Sequence, residues 1–191
     1  MNNLILAFRQ IVYENKAFRR NPPAAFFTFV FPLIFLVLFN LLFGNNKIDI
    51  TGGTTHTSTF YVPAITAFSV ISACYTNLAM TITFSRQRGL LKRIRGTPLP
   101  SWIFLFGRIG NSVLVSIILV LIIVISGALF YNVTIPTNNL PALLITLIIG
   151  AATFSSLGIA ITTIISNEDA APAIVNASIL PLLFISDIFI P

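Results

Sequence analysis

Ser85-Arg-Gln-Arg-Gly-Leu-Leu-Lys-Arg-Ile-Arg-Gly-Thr-Pro-Leu-Pro100 lies between two long apolar runs and holds five of the chain's eleven Lys and Arg residues. Basic residues gather in short cytoplasmic loops because anionic lipids and the membrane potential favour them there. The block therefore reads as cytoplasmic, and the runs beside it as membrane spans.

Composition agrees. Hydrophobic residues make up 56% of the chain and charged residues 8%, and the mean hydropathy over 191 residues is +0.95. That leaves too little polar surface to coat a water-soluble globule of this size. The expected fold is all-α, a polytopic membrane helix bundle. The net charge of +6 falls almost wholly at the two ends of the first pair of apolar runs, where topology accounts for it, so no nucleic acid is expected. Cys74, the single cysteine, lies inside an apolar run, which excludes a disulfide framework and any metal-ligand spacing. Neither a metal nor a cofactor is expected. Met1 to Arg20 is basic and amphipathic and lacks the pattern of a cleaved signal peptide.

Outward from the block, the chain divides into an interfacial helix over 1–21 and a membrane domain over 22–191. In the first, Leu4, Phe8, Ile11 and Phe18 fall on one helical stripe and Arg9, Tyr13, Lys16 and Arg20 on the opposite one, the pattern of a helix lying in the headgroup region. Asn21-Pro22-Pro23 ends it. Ala24 to Phe43 gives twenty uncharged residues, enough at ~1.5 Å each to cross a hydrocarbon core of about 30 Å. A polar loop follows over 44–58, with Lys47 and Asp49, then a second span from Thr59 to Phe84 with a kink expected at Pro63. Beyond the basic block, Trp102 to Phe130 is a third span, with Trp102 at the inner interface and Tyr131 at the outer one. Arg108, one to two turns in, can snorkel to the headgroups or pair with a neighbouring helix. Leu140 to Ile165 is a fourth span, whose Gly150-Ala-Ala-Thr-Phe-Ser-Ser-Leu-Gly158 stretch lets helix backbones approach closely. After an acidic inner loop, Ser166-Asn-Glu-Asp169, a fifth span starts at Ala170, contains Pro172, Pro181 and Asp187, and runs to Pro191. Ten of the eleven cations then lie inside and only Lys47 outside, which places the amino terminus in the cytoplasm. The ending, without a polar tail, is expected to reflect truncation.

Catalytic constellations are missing. His56 stands alone in a Gly/Thr loop, Cys74 has no histidine near its depth, and adjacent Glu168 and Asp169 do not face each other on a helix. No phosphate-cradling Gly-x-x-x-x-Gly-Lys-Ser/Thr loop is present, so the chain is not expected to be an enzyme. The basic block, read as a helix, gathers Leu90, Leu91 and Ile94 on one face and Arg88, Lys92 and Arg95 on the other. Such a helix could seat its apolar face on a cytosolic partner. On physics alone, a plain positive-inside loop fits equally well. Ser69, Ser72, Thr76 and Thr83 share a stripe of the second span and face either a pathway or a neighbouring helix.

The string Arg86-Gln-Arg-Gly-Leu-Leu-Lys-Arg-Ile-Arg-Gly-Thr-Pro-Leu-Pro100, continued by Ser101-Trp-Ile-Phe-Leu-Phe-Gly-Arg108, closely resembles the segment after the second span of type-2 ABC exporter permeases. The resemblance extends to the amino-terminal helix with its Asn-Pro break and to Leu180-Pro-Leu-Leu-Phe-Ile-Ser-Asp-Ile-Phe-Ile-Pro191. The family usually carries Gly where this chain has Asp187, and it has six spans against the five expected here. What the resemblance implies is a permease subunit that exports substrate using ATP hydrolysed by separate cytosolic ATPase subunits, paired in the cell membrane with a second permease copy or homologue. Arg86, Arg88, Gly89, Leu90, Leu91, Lys92, Arg93, Ile94 and Arg95 would match its ATPase-coupling helix, within a cytosolic segment over 85–100, and Glu168 and Asp169 its second cytosolic loop. The competing expectation is a non-transporting membrane-anchored assembly or immunity factor.

Overall fold

Asn21 separates two helices, and the two prolines after it suit the start of the second, where their missing N–H groups would have no helical acceptor. In the computed structural model, α1 (Asn3–Arg19) ends at this break and α2 (Pro22–Phe43) begins on it. The backbone is described for residues 3–43, 47–50, 53–131 and 139–185, and side chains for 3–42, 61–131 and 139–181. Asp187 and most of the turn expected between the third and fourth spans lie outside the described residues. Between α2 and the second span sits a short antiparallel hairpin, β1 (Lys47–Ile50) and β2 (Gly53–His56), with Lys47 opposite His56 and Ile50 opposite Gly53. It is the one departure from helix among the described elements.

The second span is built from α3 (Thr57–Ile71), a π-helical segment (Ser72–Thr76) and α4 (Asn77–Gln87). Pro63 lies within α3, which continues past it. Nine residues further on the helix widens, and the Asn77 N–H reaches back to the Ser72 carbonyl. The segment carries Ala73, Cys74 and Tyr75 into the core. A Cβ on Gly158 of the fourth span would stand 2.8 Å from the Tyr75 carbonyl oxygen, so the two backbones meet directly. Such one-turn widenings commonly sit where a helix must adapt its register to a neighbour.

Next come α5 (Leu90–Arg95), α6 (Ser101–Tyr131), α7 (Leu140–Ile161) and α8 (Ala171–Ile185). Four stretches are long and apolar enough to cross a membrane, 22–42, 61–87, 101–131 and 140–161, and α8 contributes a shorter apolar helix over 171–181. The second is the most enclosed, with 56% of its apolar window buried against 17% for α2 and for α7. It forms the axis of the bundle. Leu36, Val62, Ile65, Leu119 and Ile123 pack on one side of it, Val120 and Ala151 close around Cys74, and Val175 and Ile179 meet Tyr75 and Ala79. In lipid such contacts gain little from the hydrophobic effect, so close packing and polar bonds between helices fix the arrangement. Tyr75 Oη lies 2.5 Å from Ser178 Oγ, and Asn77 Nδ2 donates to Thr28 Oγ1 at 3.2 Å.

One expected boundary moves. The fourth helix stops at Ile161 and not Ile165, because the backbone tightens into i→i−3 turns at Thr162, Thr163 and Ile164. The Thr162 and Thr163 hydroxyls, bonded to the Ile159 and Ala160 carbonyls, occupy the acceptors that continuation would need. In the Gly150–Gly158 stretch, Ala151, Ser155 and Gly158 form the buried face, whereas a Cβ on Gly150 would meet nothing.

Candidate functional site

One end of the bundle gathers the charged residues, and it is built from α1, the first turns of α6, α5 and the loop between α7 and α8. Gln87 ends α4, after which Arg88 and Gly89 reverse the chain. Gly89 has φ = +71°, a left-handed conformation that a Cβ would disfavour, and its carbonyl accepts the Arg93 N–H at 3.2 Å. The six residues of α5 follow, closed by Gly96 and by Thr97, whose hydroxyl donates to the Ile94 carbonyl at 2.6 Å. None of the six is buried. Leu90 is exposed, Leu91 and Ile94 are half-buried, and Arg88, Lys92, Arg93 and Arg95 project into the surroundings. These four cations form no salt bridge among the described residues.

Arg86 behaves differently. One guanidinium nitrogen donates to the Thr162 carbonyl at 2.9 Å and the other to the Ile165 carbonyl, while Gln87 Nε2 donates to the Ser166 carbonyl at 3.0 Å. The end of α7 leaves carbonyls without helical partners and carries the negative end of the helix dipole. A forked cation satisfies both needs, each charge-assisted bond contributing about 1.5–3 kcal/mol. Beyond it, Asn167 Oδ1 accepts the Ala170 N–H at 2.8 Å and starts the turn into α8. Glu168 and Asp169 lie exposed on that turn.

Sequence reasoning missed a second polar cluster. Glu14 of α1 is buried and lies 3.2 Å from Arg108 Nε of α6, and Gln10 donates to the same carboxylate. The Arg108–Glu14 contact is an ion pair without in-line hydrogen-bond geometry. The guanidinium also stands 5.3 Å from the centroid of the Phe104 ring. One turn along, Asn15 Nδ2 donates to Asn111 Oδ1 at 3.2 Å. Gln10 and Ile11 fill the notches left by Gly107 and Gly110. The face of α1 turned to the protein is therefore Ala7, Gln10, Glu14 and Phe18, while Leu4 and Phe8 of the expected apolar stripe stay exposed beside Ile5 and Val12. The expected stripe is thus split between two environments, because the glycine notches of α6 accept whichever α1 side chains lie over them. Burial pushes the Glu14 carboxyl above its ordinary 4.5, with Arg108 and then Gln10 pulling the other way. One acidic residue in an otherwise basic helix, with one arginine inside an apolar run, was the signal available for this pair.

A cavity of about 210 Å³ opens beside the ion pair, lined by polar groups that include Asn21, Asn77, Thr81 and Asn111. An adjoining cleft of about 260 Å³ separates α2 from the second span. Ser69, Ser72 and Thr76 line this cleft opposite Phe27, Phe31 and Pro32, although Ser69 is itself buried and donates to the Ile65 carbonyl at 2.5 Å. Thr83 does not join them; it is fully buried and donates to the Ala79 carbonyl at 2.9 Å.

These features define a multi-pass helical membrane protein with a basic helix at one end whose cations form no salt bridge among the described residues. The ABC-2 type transporter family matches residues 7–191, and the chain belongs to that family. Over 163 residues it is 24% identical to a Bacillus subtilis (strain 168) protein named "Putative transport permease YvfS". The alignment covers 85% of this chain and 65% of that relative, so the chain spans just under two thirds of the relative's length. No solved structure matches this chain.

Proposed function

We propose that the chain is the permease subunit of an ATP-driven exporter, moving substrate outward across the cell membrane with energy from separate cytosolic ATPase subunits. A second permease copy or homologue completes the pathway. Residues 1–21 form the interfacial elbow, and 22–191 the permease domain with its coupling segment at 85–100. The amino terminus, α5 and the α7–α8 loop then share the cytoplasmic side.

One observation carries this reading: α5 holds no buried residue and presents Leu90 beside four unpaired cations. A membrane protein that needed only to satisfy the positive-inside bias has no use for a helix held clear of the bundle by a left-handed glycine. A partner supplying an apolar groove rimmed with acidic groups would cover Leu90, Leu91 and Ile94 and neutralise Arg88, Lys92, Arg93 and Arg95. Glu168 and Asp169 flank that seat. Family membership supports an ATP-binding subunit as the partner. Ser72 and Thr76 are proposed to face the pathway, because they line a cleft, and the buried Ser69 and Thr83 to serve helix packing.

The test is co-purification from membranes in which the chain and a cognate ATP-binding-cassette ATPase are co-expressed. Leu90→Asp, at an exposed position, should abolish capture of the ATPase, and the triple change of Leu90, Leu91 and Ile94 to Asp should abolish export as well. Undiminished capture and export in both would end the proposal.

A further inference from the structure

The geometry points to Arg86 as a positioning residue that joins the two cytosolic loops into one lever, so that a displacement of α5 reaches α8 through the carbonyls it holds. This inference rests on the coupling role proposed for α5. Arg86 sits three residues before the left-handed Gly89 from which α5 departs, so it occupies the point about which α5 is attached. Its two bonds go to Thr162 and Ile165, the first and fourth residues of the non-helical stretch that follows α7, and Gln87 adds a third bond to Ser166. The same stretch is gripped from its other side. Ile165 is 1% exposed and packs with Tyr75, Ala171, Val175 and Ile179, on the π segment and α8.

Both carbonyls that Arg86 holds lie past the end of α7, where the helix offers them no N–H. A planar fork with two parallel donors fixes both distance and angle between α4 and the loop, whereas a lysine would fix a single point. Arg86 therefore differs from the exposed cations around it, which are free to meet a partner.

The experiment uses spin labels at K92C on α5 and E168C on the α7–α8 loop, both exposed positions, in the intact chain in lipid nanodiscs. Cys74, fully buried, serves as the unlabelled background, checked with the parent protein. The parent should give one narrow distance distribution. Arg86→Ala should at least double its width, and Arg86→Lys should give an intermediate width. A parent-like width in Arg86→Ala overturns the inference; should that variant fail to fold, a parent-like width in Arg86→Lys overturns it equally. Capture of the ATPase is measured on the same proteins and should survive Arg86→Ala while failing in Leu90→Asp. Loss of the docking role would appear in the capture of Leu90→Asp alone, and loss of the lever in the distance widths alone, so the two failures are separable.

Discussion

Arg108 and the arginines in and just before α5 are the same residue type at one end of one bundle, and the fold treats them in opposite ways. Arg108 is largely enclosed against Glu14 and Phe104, its side chain only 12% exposed. Arg88, Arg93 and Arg95 have no salt-bridge partner among the described residues and lie open. A buried cation must bring its counter-charge with it, because the cost of desolvation is otherwise unmet. An exposed one stays hydrated, can wait for a counter-charge from elsewhere, and contributes little to the chain's own stability. The α1–α6 junction is thus a structural joint and α5 an exposed surface, the one proposed to meet the ATPase.

The largest effect should come from breaking the joint. Glu14→Ala strands a buried guanidinium and should cost about 3 kcal/mol, read as a lowered midpoint of thermal unfolding in detergent. Exchanging the charges, with Glu14→Arg and Arg108→Glu together, should recover part of that loss. An unchanged midpoint in Glu14→Ala would erase the distinction between the two regions.

A second contrast lies within α7. Gly158→Ala drives a methyl into the Tyr75 carbonyl at 2.8 Å, where backbone must move, and should destabilise by about 1–3 kcal/mol. Gly150→Ala meets open space and should stabilise by up to about 1 kcal/mol through helix propensity. Equal effects at the two glycines would contradict the packing of the π segment on Gly158.

The joint should also respond weakly to pH. With its carboxyl raised above 4.5 in the folded chain, Glu14 keeps its proton where the unfolded chain has lost it. Below 4.5 its contribution is fully present, and it declines as pH rises through the raised value. Unfolding midpoints across that window should fall with pH in the parent and lie flatter in Glu14→Gln. The smallest effect on stability belongs to α5: Lys92→Glu with Arg93→Glu should shift the midpoint by an amount within about 0.5 kcal/mol, while reducing ATPase capture.

Much of this was legible without coordinates. Long uncharged runs announced the spans, Asn21-Pro22-Pro23 the elbow, and Gly96 the end of α5, since each depends on residues adjacent in sequence. The start of α5 did not show, because the basic block reads as one helix from Arg86 to Arg95, whereas Arg86 and Gln87 belong to α4 and the left-handed Gly89 breaks the run. Glu14 escaped notice because its role depends on Arg108, ninety-four positions away, lying beneath it. Arg86 was grouped with its basic neighbours because charge counting cannot separate a cation that caps a distant helix from one that faces a partner. The end of α7 was overrun because Ile164 and Ile165 are as apolar as any residue of a span, and hydropathy does not register a hydroxyl occupying the next acceptor.

The amino-acid order alone determined that this chain crosses a membrane repeatedly and carries a short basic helix between its second and third spans. Solvation of each segment by lipid or water is a local property, summed residue by residue along the chain. Only the tertiary structure decided which cations are committed and which are free, where the second span widens, and which carbonyls Arg86 holds. Those outcomes depend on what lies beside each group in space, and neighbours in space are set by helix packing rather than by position in the chain.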